Sequence, residues 1–431
     1  MVGDFVRKRL SKALMGQTEV ALRNRVPTRE ELSRRFDDIA ELGIYLHIPF
    51  CRQVCPYCPY NKELYQPHLA RRYADAVKKE ADTYSRIVGR RPVTSFYIGG
   101  GTPTTMLRNG LADMVAHIHA VFDVRCDIHL ESHPNDLTDD NLDAIVALGV
   151  RHLSTGVESL HDRHLRFLRR PYCAEQAKEA IRRAMKRPFQ CVNADIIFAL
   201  PGQTYREIEE AGRALIAMGI DQVAAYPLFR FPYTAMRGSG TEVNYKVRTV
   251  WKRRRMLRIL ERIFYKAGFE RTSVWAFTRR GVPKYCSVTV PLYLGLGASG
   301  GSYLKDIFYL NTFNVAEYIQ AIESKGTAVA LSLDLTERMR MAGWLYWRIY
   351  ETRFSKLDFQ KRFGQDFDAV YGRYFRVLRV LGFLQDSGNR IVLTDRGSYW
   401  LHAFEDLFSI EYISRLWGIA EETPWPESVR L

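Results

Sequence analysis

Three cysteines lie close together in the chain, as Cys51, Cys55 and Cys58. They follow directly on an apolar, strand-like run that ends at Phe50. A four-iron cluster normally takes four cysteine ligands, so three thiolates leave one iron open to another ligand. An open metal position is where catalysis takes place, whereas structural metal sites are closed. The spacing therefore predicts a catalytic iron–sulfur cluster held by these three residues.

Two other uses of clustered cysteines fit the sequence less well. Structural zinc usually takes a second cysteine pair or spaced histidines, and none follows this loop. A disulfide framework belongs to oxidising compartments, and no signal peptide opens the chain. The other cysteines, Cys126, Cys173, Cys191 and Cys286, are scattered, which indicates free thiols in a reducing cytoplasm. Three unrelated buried cysteines are the remaining alternative, and the tight clustering disfavours it.

The cluster loop resembles that of radical S-adenosylmethionine (SAM) enzymes. Within them it resembles the group of oxygen-independent coproporphyrinogen III oxidases, heme chaperones and class C methyltransferases. The resemblance rests on the run from Tyr45 to Cys58, which reads YLHIPFCRQVCPYC. It implies a [4Fe-4S] cluster whose open iron chelates SAM, and reductive cleavage of SAM to a 5′-deoxyadenosyl radical. Tyr57 stands where the family packs a ring against the adenine, and Tyr45 and His47 are the catalytic residues that we expect.

Beyond residue 40 the sequence alternates between β-branched apolar runs and helical patterns. The predicted strands cover residues 43–47, 95–98, 127–131, 152–157, 193–198 and 222–226. The predicted helices cover residues 67–89, 104–122, 138–148, 173–186 and 204–218. Strands that alternate with helices imply a parallel sheet with right-handed crossovers. We predict an α/β fold with a partial (β/α)6 barrel, which is also the fold of the family that the loop resembles.

Chemistry in such barrels lies on the loops at the carboxyl ends of the strands. The cysteine loop follows the first predicted strand, and a glycine-rich run at residues 99–103 follows the second. Glu131 closes the third strand, Glu158 follows the fourth, and Asp195 lies in the fifth. All five features therefore fall on or near one rim of the predicted barrel, which is the agreement expected of a single site.

The resemblance implies roles for the glycine-rich run and for the carboxylate after it. Gly100, Gly101 and Thr102 match an element whose backbone approaches the methionine part of SAM. A plain strand-to-helix turn is the alternative, because glycine often does no more than permit a tight turn. Glu131 matches a carboxylate near the amino-acid end of SAM.

Two further positions match the family's SAM site, and a third, Glu158, lies among them but departs from the oxidase pattern. Arg170 matches an arginine that pairs with the SAM carboxylate, a task that suits a guanidinium, although Arg169 leaves the assignment open by one residue. Asp195 matches a residue near the ribose hydroxyls, for which a carboxylate is a natural acceptor. Glu158 stands where the oxidase carries glutamine. Each alone is more often an ion pair at a barrel rim, but together in register they favour a SAM site.

Two departures from the family pattern bear on the reaction. Pro59 and Tyr60 follow the third cysteine where the oxidase carries Gly-Cys, which argues against porphyrinogen decarboxylation. The heme chaperones carry the motif His-Asn-x-x-Tyr-Trp before a Gly-x-Gly turn. Here the turn begins at Gly295 and no such histidine precedes it. Cys286 is an axial heme ligand in principle, but a buried thiol is the favoured interpretation.

We therefore expect methyl or methylene transfer to an organic substrate, as in the class C enzymes, which bind two SAM molecules. Residues 273–278 lie where the second SAM is expected, with Trp275 and Phe277 as stacking partners for its adenine. One or two SAM molecules are thus the expected cofactors beside the cluster. Oxidative decarboxylation of an anionic tetrapyrrole is the first alternative, and heme trafficking is the second.

The net charge of +15 constrains the partners. Basic clusters are spread along the chain, which indicates solvated faces rather than one groove. The charge fits an anionic, possibly tetrapyrrole-like small molecule and an acidic electron donor such as a flavodoxin or ferredoxin. Nucleic acid lacks a supporting motif, and no apolar run approaches the ~18 residues of a membrane span. We expect a cytoplasmic monomer.

The chain divides into three predicted segments. Residues 1–40 form a basic helical segment, residues 41–310 the barrel with its SAM and substrate region, and residues 311–431 an α-rich C-terminal domain. Helical patterns at residues 336–350 and 367–381 precede a short hairpin. Helices followed by a hairpin resemble the winged-helix-like module at the C-terminus of the coproporphyrinogen oxidase group.

Overall fold

The computed structural model describes residues 9, 12, 14–17, 19–36, 39–236, 247–285 and 292–431. Cys286, to which we gave a possible axial role, lies outside these residues. The strands are β1 (Ala21–Arg23), β2 (Leu42–Ile48), β3 (Phe50–Cys51), β4 (Glu63–Leu64), β5 (Pro92–Gly100), β6 (Asp123–Val124), β7 (Ile128–Ser132), β8 (Val150–Glu158), β9 (Cys191–Phe198), β10 (Gln222–Pro227), β11 (Phe269–Arg271), β12 (Ala276–Arg279), β13 (Tyr293–Leu296), β14 (Gly301–Leu304), β15 (Ile307–Asn311), β16 (Val329–Asp334), β17 (Arg353–Ser355), β18 (Leu384–Asp386), β19 (Arg390–Leu393) and β20 (Ser428–Arg430).

The α-helices are α1 (Arg29–Phe36), α2 (Pro67–Val88), α3 (Leu111–Val121), α4 (Asp139–Ala147), α5 (Asp162–Phe167), α6 (Ala174–Ala184), α7 (Tyr205–Ala217), α8 (Val247–Lys266), α9 (Val315–Lys325), α10 (Glu337–Tyr350), α11 (Lys356–Phe363), α12 (Phe367–Val380) and α13 (Asp395–Glu422). Short 3₁₀ turns occupy Pro103–Met106 and Pro134–Asp136.

The six predicted strands form the parallel part of one sheet, in the order β10-β9-β8-β7-β5-β2. Each neighbouring pair is parallel, and helices α2, α3, α4, α6 and α7 connect the strands in turn. The predicted partial (β/α)6 barrel is therefore confirmed. The connecting helices begin where the sequence supplies caps. Thr204 and Glu207, for instance, form a reciprocal capping box at the start of α7.

The sheet extends beyond these six strands on both sides. At one end β12 and β11 add antiparallel to β10. At the other end β13 pairs parallel to β2, and β14, β15 and β16 follow as an antiparallel meander. The predicted division at residue 310 remains a prediction, although Leu310 lies inside β15, whose partner β16 continues the same sheet to Asp334.

The N-terminal segment differs in part from the expectation of helix. Helix α1 forms as predicted, and Thr28 and Glu31 exchange side-chain-to-backbone hydrogen bonds at its start. Residues 21–23, however, form β1, which pairs with both β16 and β20. This pairing brings strands from both ends of the chain together, and no local pattern in three residues could predict it.

The C-terminal module has a small core of its own. Helices α10, α11 and α12 pack with the antiparallel sheet β17-β19-β18 around aromatic side chains that include Trp344, Phe359 and Phe367. This is the predicted order of helices followed by a hairpin. Helix α13 then returns to the barrel, where Tyr399 joins the main hydrophobic core. Among the described residues no helix is both long and apolar enough to cross a membrane.

Candidate active site

The three cysteines of the cluster loop lie at the carboxyl end of β2. Two backbone hydrogen bonds join the start of the loop to its end. Glu63 N–H donates to the Pro49 carbonyl at 2.8 Å, and Tyr65 N–H donates to the Cys51 carbonyl at 3.0 Å. Between these anchors Cys58 N–H donates to the Cys55 carbonyl at 3.2 Å, which closes a turn. The backbone thus presents all three thiols from one short segment.

The thiols share one electrostatic environment. Burial raises the pKa of Cys51, and burial raises the pKa of Cys58 to about 12. The charges of Cys51 and Cys55 contribute to the rise at Cys58, which shows that the three groups are close together. Thiolates in this setting need nearby positive charge, and metal coordination supplies it because a coordinating thiol is deprotonated outright.

The donor set fits an iron–sulfur cluster. Among the residues that the structure describes, no three or more His, Cys, Asp or Glu side chains form a group that would hold a single metal ion. A four-iron cluster is a larger group, which takes several cysteines at once. Lys62 and Arg170 both lower the pKa of Cys51 through their charge, so cations already surround the loop.

The glycine-rich run lies directly against the cluster loop. A Cβ atom at Gly101 would lie 2.9 Å from the Cys51 sulfur, and one at Gly100 would lie 2.7 Å from the His47 ring. Gly100 also has a φ of +120°, which favours glycine. Gly101 N–H donates to the Ile48 carbonyl and Thr102 N–H to that of Phe50. The Thr102 hydroxyl lies 3.5 Å from the Cys51 sulfur. The loop itself therefore requires glycine here, whether or not SAM is bound.

Glu131 holds the glycine run in place from the next strand. Its carboxylate accepts the Gly100 N–H at 2.9 Å and the hydroxyl of Tyr97. Burial raises the pKa of Glu131. A buried carboxylate held in this way lies at the rim that the sequence predicted, beside the backbone expected to approach the methionine part of SAM.

Arg170 joins the cluster loop to the fourth parallel strand. Its guanidinium donates to the Cys55 sulfur at 3.1 Å, to the Gly156 carbonyl at 2.9 Å and to the Tyr172 hydroxyl at 2.8 Å. Arg169 is exposed, so Arg170 is the one of the two arginines whose side chain contacts the cluster loop, and its pairing with SAM stays a prediction.

Tyr57 and Glu158 complete the surroundings of Arg170. The guanidinium donates to the Tyr57 hydroxyl at 3.4 Å and lies 3.9 Å from the Glu158 carboxylate. Burial raises the pKa of Glu158, and the charge of Arg170 opposes that rise. Glu158 has a φ of +62°, a left-handed backbone conformation that costs free energy in a residue with a side chain. Strained backbone of this kind is common at functional sites.

Asp195 lies in the fifth strand, and each oxygen of its carboxylate accepts one hydrogen bond. It accepts hydrogen bonds from the Ser154 hydroxyl at 2.8 Å and from the Asn193 amide at 2.9 Å. Burial raises its pKa to about 7, and the charges of Glu158 and Glu131 add to the rise. The three carboxylates therefore face one space at the carboxyl ends of the strands.

Tyr45 and His47 are neighbours on one face of β2. The Tyr45 hydroxyl lies 2.8 Å from His47 Nδ1. Burial lowers the pKa of His47 to about 4, so the ring is neutral near pH 7. His47 Nε2 is buried. The backbone of Asn61 hydrogen bonds to the His47 ring and opposes the fall in its pKa, so the ring is held in place beside the cluster loop.

Trp275 and Phe277 do not belong to this site, which corrects their predicted role as adenine-stacking residues. Trp275 is 3% exposed, and its ring centroid lies 5.3 Å from that of His402. Phe277 is 0% exposed, and its ring stacks on Phe264 at 5.1 Å. Both rings are occupied by packing between the sheet and its helices, which leaves no face for an adenine.

Three residues of the site were missed. Tyr97 lies two residues before the glycine run, and Tyr172 lies two residues after Arg170. The alternation of β5 places Tyr97 on the face of Gly99, but its bond to Glu131 joins residues far apart in sequence. Tyr60 was noted as a departure from the family pattern. It is 58% exposed, and the charges of Glu131, Cys58 and Asp195 act on its hydroxyl.

Comparisons with known proteins agree with this geometry. Residues 45–215 match the model of the Radical SAM superfamily. The chain is 24% identical over 360 residues to the heme chaperone HemW of Bacillus subtilis (strain 168), a match that covers 82% of this chain and 95% of that protein. It is 24% identical over 390 residues to the oxygen-independent coproporphyrinogen III oxidase of Bradyrhizobium diazoefficiens, covering 86% of this chain and 87% of that protein.

A solved structure shows the same fold. Coproporphyrinogen III oxidase (HemN) from Escherichia coli, a radical SAM enzyme, superposes with a TM-score of 0.76 at 20% identity, covering 92% of this chain and 94% of that chain. These relatives do not support the methyl or methylene transfer that we expected. They favour the two alternatives instead.

Proposed function

Because this chain carries a radical SAM domain, we propose that it is a radical SAM oxidoreductase that acts on an anionic tetrapyrrole of the coproporphyrinogen class. A [4Fe-4S] cluster held by Cys51, Cys55 and Cys58 is its cofactor. The observation that supports SAM cleavage is the convergence of Glu131, Arg170 and the glycine-rich run on the cysteine loop. The glycine-rich run ends β5, Glu131 lies in β7, and Arg170 follows α5, after β8. The substrate class is supported by the similarity to the oxidase over 86% of this chain, although Pro59 and Tyr60 depart from the oxidase pattern.

Different residues of the rim are suited to bind different parts of SAM. When bound, the cluster supplies the electron that cleaves SAM to methionine and a 5′-deoxyadenosyl radical. Glu131 holds the Gly100 backbone against the loop, and its second function is to attract the SAM ammonium. Asp195 faces the same space and suits the ribose hydroxyls. Arg170 fixes the position of Cys55 and offers a cation to the SAM carboxylate.

The tyrosines beside the cluster loop suit a large, carboxylate-bearing substrate. Tyr60 interacts electrostatically with Tyr45, Tyr226 and Tyr233. Tyrosines combine an apolar ring with a hydrogen-bonding hydroxyl, which suits a macrocycle with polar substituents. The net charge of +15 favours the approach of an anion. Neutral His47 and its partner Tyr45 are placed to hold or move a proton beside the cluster loop.

The test is an anaerobic turnover assay with coproporphyrinogen III. We expect the reconstituted protein with a reductant and SAM to release carbon dioxide and form protoporphyrinogen IX, with 5′-deoxyadenosine formed in step. Fluorescence of the oxidised porphyrins and chromatography of the nucleoside measure the two products. Formation of 5′-deoxyadenosine without any change in the porphyrinogen would contradict the substrate and leave SAM cleavage standing.

Heme trafficking is the second candidate, and one observation favours it. The similarity to the heme chaperone from Bacillus subtilis extends over 95% of that protein. Titration with heme separates the candidates. A chaperone should give a saturable Soret band at one heme per chain and no porphyrinogen turnover, whereas the oxidase should bind heme weakly and turn over coproporphyrinogen III.

A further inference from the structure

The outer side of the cluster loop is exposed and carries no acidic side chain. Arg52 follows Cys51 and Val54 precedes Cys55, and Val54 is 40% exposed. Arg52 forms an ion pair with Asp136 in which the arginine side chain is 58% exposed and the carboxylate side chain 5% exposed, so the arginine is the member that faces solvent. Gln53 between them donates its amide to the Arg169 carbonyl at 2.9 Å, which joins the loop to the segment after α5.

The segment after α5 continues the same surface. Phe167, the last residue of that helix, is 39% exposed, and Arg166 and Arg169 on either side are exposed. Neither arginine forms an ion pair with any carboxylate in the part of the chain that the structure describes. We define the donor face as Arg52, Val54, Arg166, Phe167 and Arg169. It combines two exposed apolar side chains with three arginines.

The donor face is separated from a cluster ligand by very few bonds. Val54 is the chain neighbour of Cys55. Arg169 is the chain neighbour of Arg170, whose guanidinium lies 3.1 Å from the Cys55 sulfur.

We propose that the donor face is the docking site of an acidic one-electron carrier protein that reduces the cluster. This inference rests on the proposed function, since it presupposes a cluster at Cys51, Cys55 and Cys58. One electron leaves the reduced flavin or iron–sulfur group of the carrier and enters the cluster; no proton or other atom is transferred. Charge complementarity selects an acidic partner, and arginine with aromatic side chains is the composition typical of protein interfaces.

The test compares two electron sources in one assay. A reduced, acidic flavodoxin is the docking-dependent source, and dithionite is a small reductant that needs no docking face. The variant is Arg166→Glu with Arg169→Glu. The control is Arg376→Glu with Arg379→Glu, which changes the net charge equally on exposed positions of α12 in the C-terminal module. The rate of 5′-deoxyadenosine formation is measured for each protein with each reductant.

We expect the variant to lose at least about tenfold in flavodoxin-driven rate at low salt, because steering by complementary charge raises on-rates by roughly 10–10³-fold. Its dithionite-driven rate should stay within about twofold of wild type, as should both rates of the control. Binding of oxidised flavodoxin, measured by calorimetry without turnover, should weaken in the variant alone. A variant that binds flavodoxin and accepts its electrons like wild type overturns the donor face. So does an equal loss in the control, which would indicate an effect of net charge.

A second variant removes the dependence on charge reversal. Phe167→Ser takes away an exposed ring and leaves all arginines in place. We expect several-fold weaker flavodoxin binding with unchanged dithionite-driven cleavage, and unchanged binding would count against the proposal. If the wild-type protein fails to cleave SAM even with dithionite, the proposed function is wrong. The calorimetric binding of oxidised flavodoxin needs no turnover, so it still tests whether the donor face is a docking site.

Discussion

The rim of the barrel and the C-terminal module bury very different side chains. The rim holds partly buried carboxylates at Glu131, Glu158 and Asp195, and burial raises the pKa of each. The core of the module, in contrast, is built of aromatic rings such as Phe359 and Phe367. The ion pairs of Lys356 with Asp368 and Asp386 lie towards its surface.

The difference separates residues kept for chemistry from residues kept for stability. Burying a charged group costs free energy unless it is paired and hydrogen-bonded, and replacing such groups by apolar ones is often neutral or stabilising. Aromatic burial, by contrast, drives folding directly. We infer that the rim lowers the stability of the apoprotein and that the module and the main core compensate for it.

Removal of the three cluster thiols should have the largest effect. In a Cys51→Ala, Cys55→Ala, Cys58→Ala variant we expect no retained iron or sulfide and SAM cleavage at assay background. The free energy of unfolding of the apoprotein should hardly change, because the buried thiols of the apoprotein make few bonds. Iron and sulfide analysis, nucleoside chromatography and urea unfolding measure the three quantities. A Cys126→Ala, Cys173→Ala variant is the matched control, and a triple variant that kept the cluster would contradict the assignment.

Loss of Arg170 should lower both the stability of the protein and its affinity for SAM. Arg170→Ala leaves the buried Glu158 carboxylate without its cation and Cys55 without its donor, so we expect a loss of about 3–5 kcal/mol in unfolding free energy. SAM binding should weaken as well. The exposed Arg206, paired with Glu210 within one helix, offers the control, and Arg206→Ala should cost at most about 0.5 kcal/mol. Equal costs for the two variants in urea unfolding would refute the role given to Arg170.

A cavity-forming substitution in the C-terminal module should lower the unfolding free energy as much as Arg170→Ala does. It should leave cluster binding and SAM binding unchanged. Phe359 is fully buried among the rings of the module. Phe359→Ala should cost about 3–5 kcal/mol in unfolding free energy. Iron content and SAM affinity of the folded, reconstituted protein should stay unchanged. If cluster binding fell together with stability, the distinction between the two regions would be wrong.

The pH dependence of stability should reveal the cost of the rim carboxylates. The pKa of Asp195 is about 7 in the fold and near 4 when unfolded, so between these values the folded state holds a proton that the unfolded state has released. Stability from this group is therefore present below about pH 4 and is lost as the pH rises towards 7. Asp195→Asn should flatten the fall in unfolding free energy of the apoprotein across this range. An unchanged slope in urea unfolding would show that the carboxylate is not buried in this way.

Local patterns predicted most strands and helices of the barrel to within a few residues, whereas the helix predicted from residue 104 begins at Leu111, after a 3₁₀ turn at Pro103–Met106. Caps such as Thr204 with Glu207 mark helix starts, and β-branched runs such as residues 193–198 mark strands. Local patterns could not predict the pairing of β13 with β2. Strand β13 has only four residues, and the alternation of Leu294 and Leu296 with their neighbours is too short to interpret. Long-range pairing decides its place.

The site residues also divide into those that local motifs predict and those that depend on contacts between distant parts of the chain. The positions of the cysteine loop and of residues 99–102 could be predicted, because each is a short motif of adjacent residues. Trp275 and Phe277 were placed wrongly, because a sequence does not tell whether a ring in or beside a strand such as β12 faces a ligand or a helix such as α8. Tyr97 was missed because its partner Glu131 belongs to another strand.

The central claim is that one iron of the cluster is open and takes SAM as its ligand. The most direct test is the electron paramagnetic resonance spectrum of the reduced, reconstituted protein before and after SAM is added. We expect SAM to change the g values, and SAM labelled at its amino nitrogen and carboxylate oxygens to give hyperfine coupling to the cluster. If equilibrium dialysis shows SAM bound while the spectrum stays unchanged and no coupling is found, SAM does not ligate the cluster and the account is contradicted.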